Sequence, residues 1–119
     1  MAAPNIVGVT TIRGNTEVLA VTTSATAIAN NIPSSGKVYK INSLVVSNVD
    51  GTNAADITAD LYRGGTGYSI ASTITVPADA SLVVISKETA VYLEEGDALR
   101  CTASADGDLV AICSYEEIS

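Results

Sequence analysis

Between Asp56 and Arg63 the chain alternates without interruption, with Ile57, Ala59 and Leu61 on one parity and Thr58, Asp60 and Tyr62 on the other. A period of two belongs to a strand with one buried and one wet face, whereas a helix would gather residues three and four apart. The preceding limb, Lys37–Asn48, follows the same rule except at one point. Ile41 is succeeded by Leu44 and Val46, so a β-bulge near Asn42-Ser43 is needed to bring all three onto one face. Asp50-Gly51 and Asn53 tolerate positive φ, and Val49–Asn53 therefore reads as the turn of a long hairpin running from Lys37 to Arg63.

The other segments are read by the same signals. Ile6–Ile12 and Glu17–Thr23 predict two strands parted by a turn at Arg13-Gly14-Asn15-Thr16, while Ser24–Asn31 is open between a weak strand and a helical turn, neither period winning. Pro33–Gly36 is a turn, and Gly64-Gly65-Thr66-Gly67 is the tip between the Asp56–Arg63 strand and an alternating strand Tyr68–Val76. Beyond Pro77–Ala80, the unbroken Leu82-Val83-Val84-Ile85 predicts a strand buried on both sides. Val91 and Leu93 mark a short strand, Glu94–Asp97 a turn, and Ala98–Ala103 and Leu109–Tyr115 a final hairpin closed by Asp106-Gly107. If the turn has two residues, Cys101 faces the core and Cys113 the other, more exposed face, whereas a one-residue register change would pair the two cysteines.

These segments define an all-β chain, a single-domain β-sandwich of eight or nine short antiparallel strands, jelly-roll or immunoglobulin-like. Residues 1–5 are an arm and 6–119 the domain. The composition agrees: 47% of the 119 residues are apolar, mostly Val, Ile, Leu and Ala, with five Tyr and no Phe, Trp or His. A formal charge of -7 with six scattered basic residues disfavours nucleic acid and anionic membranes as partners. The N-terminus has no basic leader with a long apolar run, so folding in a cytoplasm and free thiols at Cys101 and Cys113 are expected.

Catalysis finds little material here. Without His, a general base must come from carboxylates, and the pairs Glu94-Glu95-Asp97, Asp106-Asp108 and Glu116-Glu117 sit in predicted turns or at the C-terminus, where they are expected to be solvated. The three glycines of Gly64–Gly67 are followed by a strand, not by the helix and Lys of a phosphate loop. Neither Asp106-Gly107-Asp108 nor Asp50-Gly51-Thr52-Asn53 supplies the ligand series of a calcium loop. Two Cys without His make a poor zinc site. No enzyme, cofactor or metal is expected. What remains is surface: the poorly charged strand face Ser69, Ala71, Thr73, Thr75, and the edges that any sandwich must pair, cover or charge.

Five motifs carry a resemblance: Ile32-Pro33-Ser34-Ser35-Gly36-Lys37, Ile41–Asn48, Val76-Pro77-Ala78-Asp79-Ala80-Ser81-Leu82, Tyr92-Leu93-Glu94-Glu95-Gly96-Asp97-Ala98-Leu99 and Val110–Ile118. Their order resembles small virion structural proteins of tailed phages, notably marine cyanophage-like viruses, of the capsid decoration type. The resemblance implies a non-enzymatic sandwich used as a building block in the virion, on the outer capsid surface, with the major capsid protein and copies of itself as partners. A homo-oligomer, for example a trimer, fits such a role, as do neck, tail or fibre-attachment positions. The candidate contact residues are Asn5, Ile6 and Arg13 in the N-terminal segment, Asp50 and Asn53 in one loop, and Arg63 and Tyr68 around the glycine-rich tip. A different class, a glycan-binding module, would use Tyr62 and Tyr68 as an aromatic platform.

Overall fold

The structure is a computed structural model that describes residues 5–119; Met1–Pro4, most of the expected arm, lie outside the described residues. It is a β-sandwich of nine antiparallel strands. In chain order these are β1 (Ile12–Ala20), β2 (Thr26–Asn30), β3 (Val38–Asn48), β4 (Ala55–Arg63), β5 (Thr66–Val76), β6 (Ser81–Ile85), β7 (Val91–Leu93), β8 (Ala98–Ala103) and β9 (Leu109–Ile118). Single 3₁₀ turns occur at Ile6–Gly8 and Lys87–Thr89. One sheet runs β1-β9-β3-β6 with β7 also on β3; the other runs β2-β8-β4-β5. The pairings are nested: β1 with β9, β2 with β8, β3 with β6, β4 with β5.

The bulge expected in the first limb of Lys37–Arg63 is present. Against β9, the register of β3 slips between Ile41 and Ser43, and Ile41, Leu44 and Val46 are all fully buried. The hairpin itself is not formed. β3 and β4 lie in opposite sheets, so residues 49–54 arch across the end of the sandwich. The same correction applies to Asp106-Gly107: β8 and β9 belong to different sheets, and Gly107 (φ 84) turns an arch between them. A turn residue's tolerance of positive φ serves an arch as well as a hairpin, and only long-range pairing distinguishes the two. The true hairpin is β4–β5, where Arg63 faces Thr66 across Gly64 (φ 61) and Gly65 (φ 82).

Three further expectations are corrected. Ile6–Ile12 and Glu17–Thr23 are not two strands; Arg13–Thr16 runs straight through β1, paired with Glu117–Ser114 of β9. Ladder bonding there overrides local turn chemistry. Residues 6–8 instead form a turn capped by the Asn5 carboxamide, which accepts from the Val7 amide at 3.1 Å. The strand Leu82–Ile85 is not buried on both faces, because β6 lies at the sheet edge and Val83 is 60% exposed. On β5, two register slips opposite Ile57–Asp60, with Thr73 at φ 51, turn Ala71 toward Ala59 and away from the outer face expected for it. Ser24–Asn31, where neither period prevails, contains β2.

The core lies between the sheets. Ile41, Leu44, Val46, Ala111 and Cys113 come from one side, Ile57, Ala59, Leu99 and Cys101 from the other, and all are 0% exposed. Each Ile, Leu or Val buried this way contributes about 1.5–3 kcal/mol. Tyr39 and Tyr115 stack at 5.1 Å between centroids and are the largest aromatic unit packed on this core.

Both ends are closed by a buried Asn. At one end, the Asn48 amide nitrogen donates to the carbonyls of Val76 (3.0 Å) and Asn53 (2.9 Å), while its oxygen accepts from the Asp50 amide (2.9 Å). At the other, Asn31 donates to the carbonyls of Leu93 and Lys37 and accepts from the Ser35 hydroxyl. Each side chain supplies the backbone partners that an arch cannot supply itself. Replacing Asn48 by Ala strands the Val76 carbonyl in a dry setting, and the cost is expected to be about 2–3 kcal/mol in urea denaturation; a loss within error of zero would show that water restores the bonds.

Candidate contact surfaces

The seven residues singled out as contacts do not form one surface. β3 runs from the Asn31 end to the Asn48 end, and its neighbour β9 returns, so Arg13, opposite Glu117, belongs to the Asn31 end. Arg63 and Tyr68 flank the β4–β5 tip at that same end, since Arg63 reaches Asp97 in the loop hydrogen-bonded to Asn31. Asn5 and Ile6 precede β1 there, with Ile6 47% exposed. Asp50 and Asn53 sit at the opposite end. The Asp50 carboxylate is held below the usual range because it accepts the amides of Thr52 and Asn53 and the Asn53 side chain, which makes it a brace for its own loop.

Arg63 is also committed internally. Its guanidinium donates to both oxygens of Asp97 (2.9 and 2.5 Å) and lies 2.8 Å from Glu94. Asp97 is fully buried, and it also accepts the Glu94 amide at 2.8 Å; Glu95, nearly as buried, accepts the Gly36 amide at 3.0 Å. The carboxylates of Glu94–Asp97 are thus not all solvated as expected. Two of the three hold loops together, because the turn folds inward over Asn31. Arg63→Ala leaves Asp97 buried without its cation and is expected to cost about 2–3 kcal/mol, less than for a fully buried pair because Arg63 itself is partly in water; chemical denaturation of R63A with R63K as control measures it.

Tyr68 and Tyr62 do not share a platform. Residues directly opposite in an antiparallel ladder lie on one face, and Tyr68 faces Leu61, on the inward parity, while Tyr62 faces Gly67 on the outer side. Tyr62 lies under the Arg100 guanidinium, 4.0 Å from the ring centroid, and Arg100 is bidentate on Asp60 (2.9 and 2.8 Å). A Cβ on Gly67 would stand 2.7 Å from Asp60 Oδ2 and 2.8 Å from Arg100 Nη2, so glycine lets the hairpin lie against this pair.

The thiols are free and both fully buried. Cys113 is therefore not the exposed cysteine expected, because β9 is an inner strand whose odd positions face the core. Burial pushes both thiols up to about 12, and Tyr115 likewise. An acid whose folded pKa is raised retains its proton while the unfolded chain loses it, so stability is full below the unfolded value and falls as pH rises toward the folded one. The thermal midpoint is expected to be level up to about pH 9 and to fall from there to about pH 12. C101A/C113A should flatten the lower part of that fall; an unchanged slope would assign it elsewhere.

The outer face of the β1-β9-β3-β6 sheet carries a feature that no single segment displays. Val18, Ile112, Val45 and Val83 lie directly opposite one another across all four strands. Val18 is 66% exposed and Ile112 42%. The next row, Ala20, Val110, Ser47 and Ser81, and the row Thr16, Ser114, Ser43 on the other side carry no charge. The parity of each strand hints at one branched apolar residue among Ser and Thr, but only strand order aligns them. Among the described residues no three His, Cys, Asp or Glu side chains gather as a metal site requires, and no helix is long and apolar enough to cross a membrane.

The sequence matches no family model and no curated protein. Among solved structures the chain is similar in fold to a protein of Bacillus endospore appendages, described as a family of disulfide-linked pili. The TM-score is 0.54 at 18% identity, over 90% of this chain and 85% of that one. Weaker likenesses join it to two structures of a pentameric capsid protein from metagenomic phage sequences, at TM-scores of 0.44 and 0.43 with 21% and 19% identity. They cover 86% of this chain in each case, which spans only 61% and 59% of those proteins.

Proposed function

We propose that this chain is a non-enzymatic structural subunit of a phage virion, and within that class a decoration or cement protein on the outside of the capsid shell. The nested pairing is read as a jelly-roll winding, with residues 6–119 as the domain and 1–5 as an arm that reaches a neighbour. The observation that carries the reading is the uncharged row Val18-Ile112-Val45-Val83. A flat apolar strip on a small acidic protein is what a lattice contact needs: area without buried charge. The order of the five motifs supports the same class.

The major capsid protein is the partner in this reading, with Asn5, Ile6, Arg13, Arg63 and Tyr68 at the Asn31 end as its further contacts. A net charge of -7 suits an exterior position better than one against DNA. Binding that exists only on assembled subunits stabilises the shell by mass action. The endospore appendage protein belongs to disulfide-linked pili; both cysteines here are buried, so this chain would assemble by non-covalent contacts. The glycan-binding alternative loses its platform, since its two tyrosines face opposite sides.

Copy number decides between locations. Quantitative mass spectrometry of purified particles is expected to find the chain in numbers comparable to the capsid subunits, in the hundreds. On the order of a dozen copies or fewer would place it at the neck, tail or fibre attachment, and absence from particles would reject the virion reading altogether.

A further inference from the structure

The sandwich has four sheet edges, and they are not alike. β2 is five residues long and slips register between Ala27 and Ala29. β6 is also five residues long with a slip at its pairing to β3, and β7 has three residues. β5 is long but slips twice against β4. Short and bulged edges resist pairing with another chain. β1 is the exception. Its nine residues pair with β9 in one unbroken register, most of them are exposed, and among the described residues nothing pairs with its outer side.

The direction of its free backbone groups follows from the other end of the ladder. Thr11 and Ser119 exchange both N–H···O bonds at 2.9 Å. Odd residues of β1 therefore bond inward to β9, and the even residues Ile12, Gly14, Thr16 and Val18 present N–H and C=O groups to the open edge. A second strand meeting this edge antiparallel must set its own outward residues against them.

We propose that β1 pairs antiparallel with β1 of a second copy about a two-fold axis at Asn15. In this register Ile12 meets Val18 of the other copy and Gly14 meets Thr16, each as a hydrogen-bonded pair, while Arg13 meets Glu17 and Asn15 meets Asn15. The charged pair falls at a non-hydrogen-bonded position, where side chains approach most closely. Ile12 and Val18, both more than half exposed in the single chain, cover each other on the outer face. Arg13 and Glu17 are exposed and make no ion pair among the described residues. Neighbouring registers are worse: a two-fold at Arg13 or Glu17 stacks like charges, and one at Gly14 or Thr16 leaves both charges opposite neutral residues. Such a dimer joins two sheets into one and extends the exposed row Val83-Val45-Ile112-Val18 to Ile12 of the second copy. Its use in a particle rests on the structural-subunit reading; the pairing itself does not.

Sedimentation velocity over a concentration series tests it on the full chain. Wild type is expected to show a monomer–dimer equilibrium, and R13E and E17R each to weaken it about tenfold or more, because two opposed charge pairs turn repulsive together. The double variant R13E/E17R restores the complement and should recover most of the loss. As a second arm, N15C should form a disulfide-linked dimer with diamide and T16C should not, the native thiols being buried. A wild type that stays monomeric to about millimolar or sediments as a trimer, or a double variant no better than the singles, overturns the pairing. Particles that carry the chain while it fails these tests would leave the virion reading standing and the dimer refuted.

Discussion

The β3–β9 ladder is the constraint on which the remaining structure depends. It runs from Val38 opposite Ile118 to Asn48 opposite Leu109, and every other strand of that sheet attaches to one of these two. A continuous register would turn either Ile41 or Leu44 and Val46 to solvent, so the slip at Asn42 is what allows one strand to keep three large side chains in the core. The two strands stand some sixty positions apart in the chain. Loop closure on that scale precedes any reward from packing, which places this fold among the slow-forming, high-contact-order topologies.

Without Phe or Trp, the core is filled by branched aliphatic residues, alanines and two thiols. At the two ends of the sandwich, backbone groups of the arches meet this core. The buried amides of Asn31 and Asn48 satisfy those groups, and Asp97 with Arg63 does the same for the Glu94–Asp97 turn. These polar contacts tie the arches to the strands they connect.

Most strand positions, those of β1 excepted, were legible because alternation and turn chemistry are local. The bulge at Asn42-Ser43, the Gly64-Gly65 tip and the alternation of Asp56–Arg63 all follow from neighbours along the chain. Sheet membership was not legible. Asp50-Gly51 and Asp106-Gly107 satisfy the same φ requirements whether the chain folds back on itself or crosses to the other sheet. That one ambiguity exposed Cys113 on paper and hid it in the fold. The apolar row was hidden for the same reason: Val18, Val45, Val83 and Ile112 are ordinary strand residues until strand order sets them side by side. Asp97 reads as a surface turn residue because nothing local reveals Arg63 reaching it from another strand.

The segment Thr66–Val76, TGYSIASTITV, has no charge and no proline, with six β-branched residues in eleven. Freed from the fold, it has the composition that stacks into cross-β fibrils. In the folded chain, the twisted backbone around Thr73 spoils the flat edge that a fibril would need as its template. The exposed stretch of fibril-forming composition thus lies on a sheet edge whose two register slips deny a second chain a straight template.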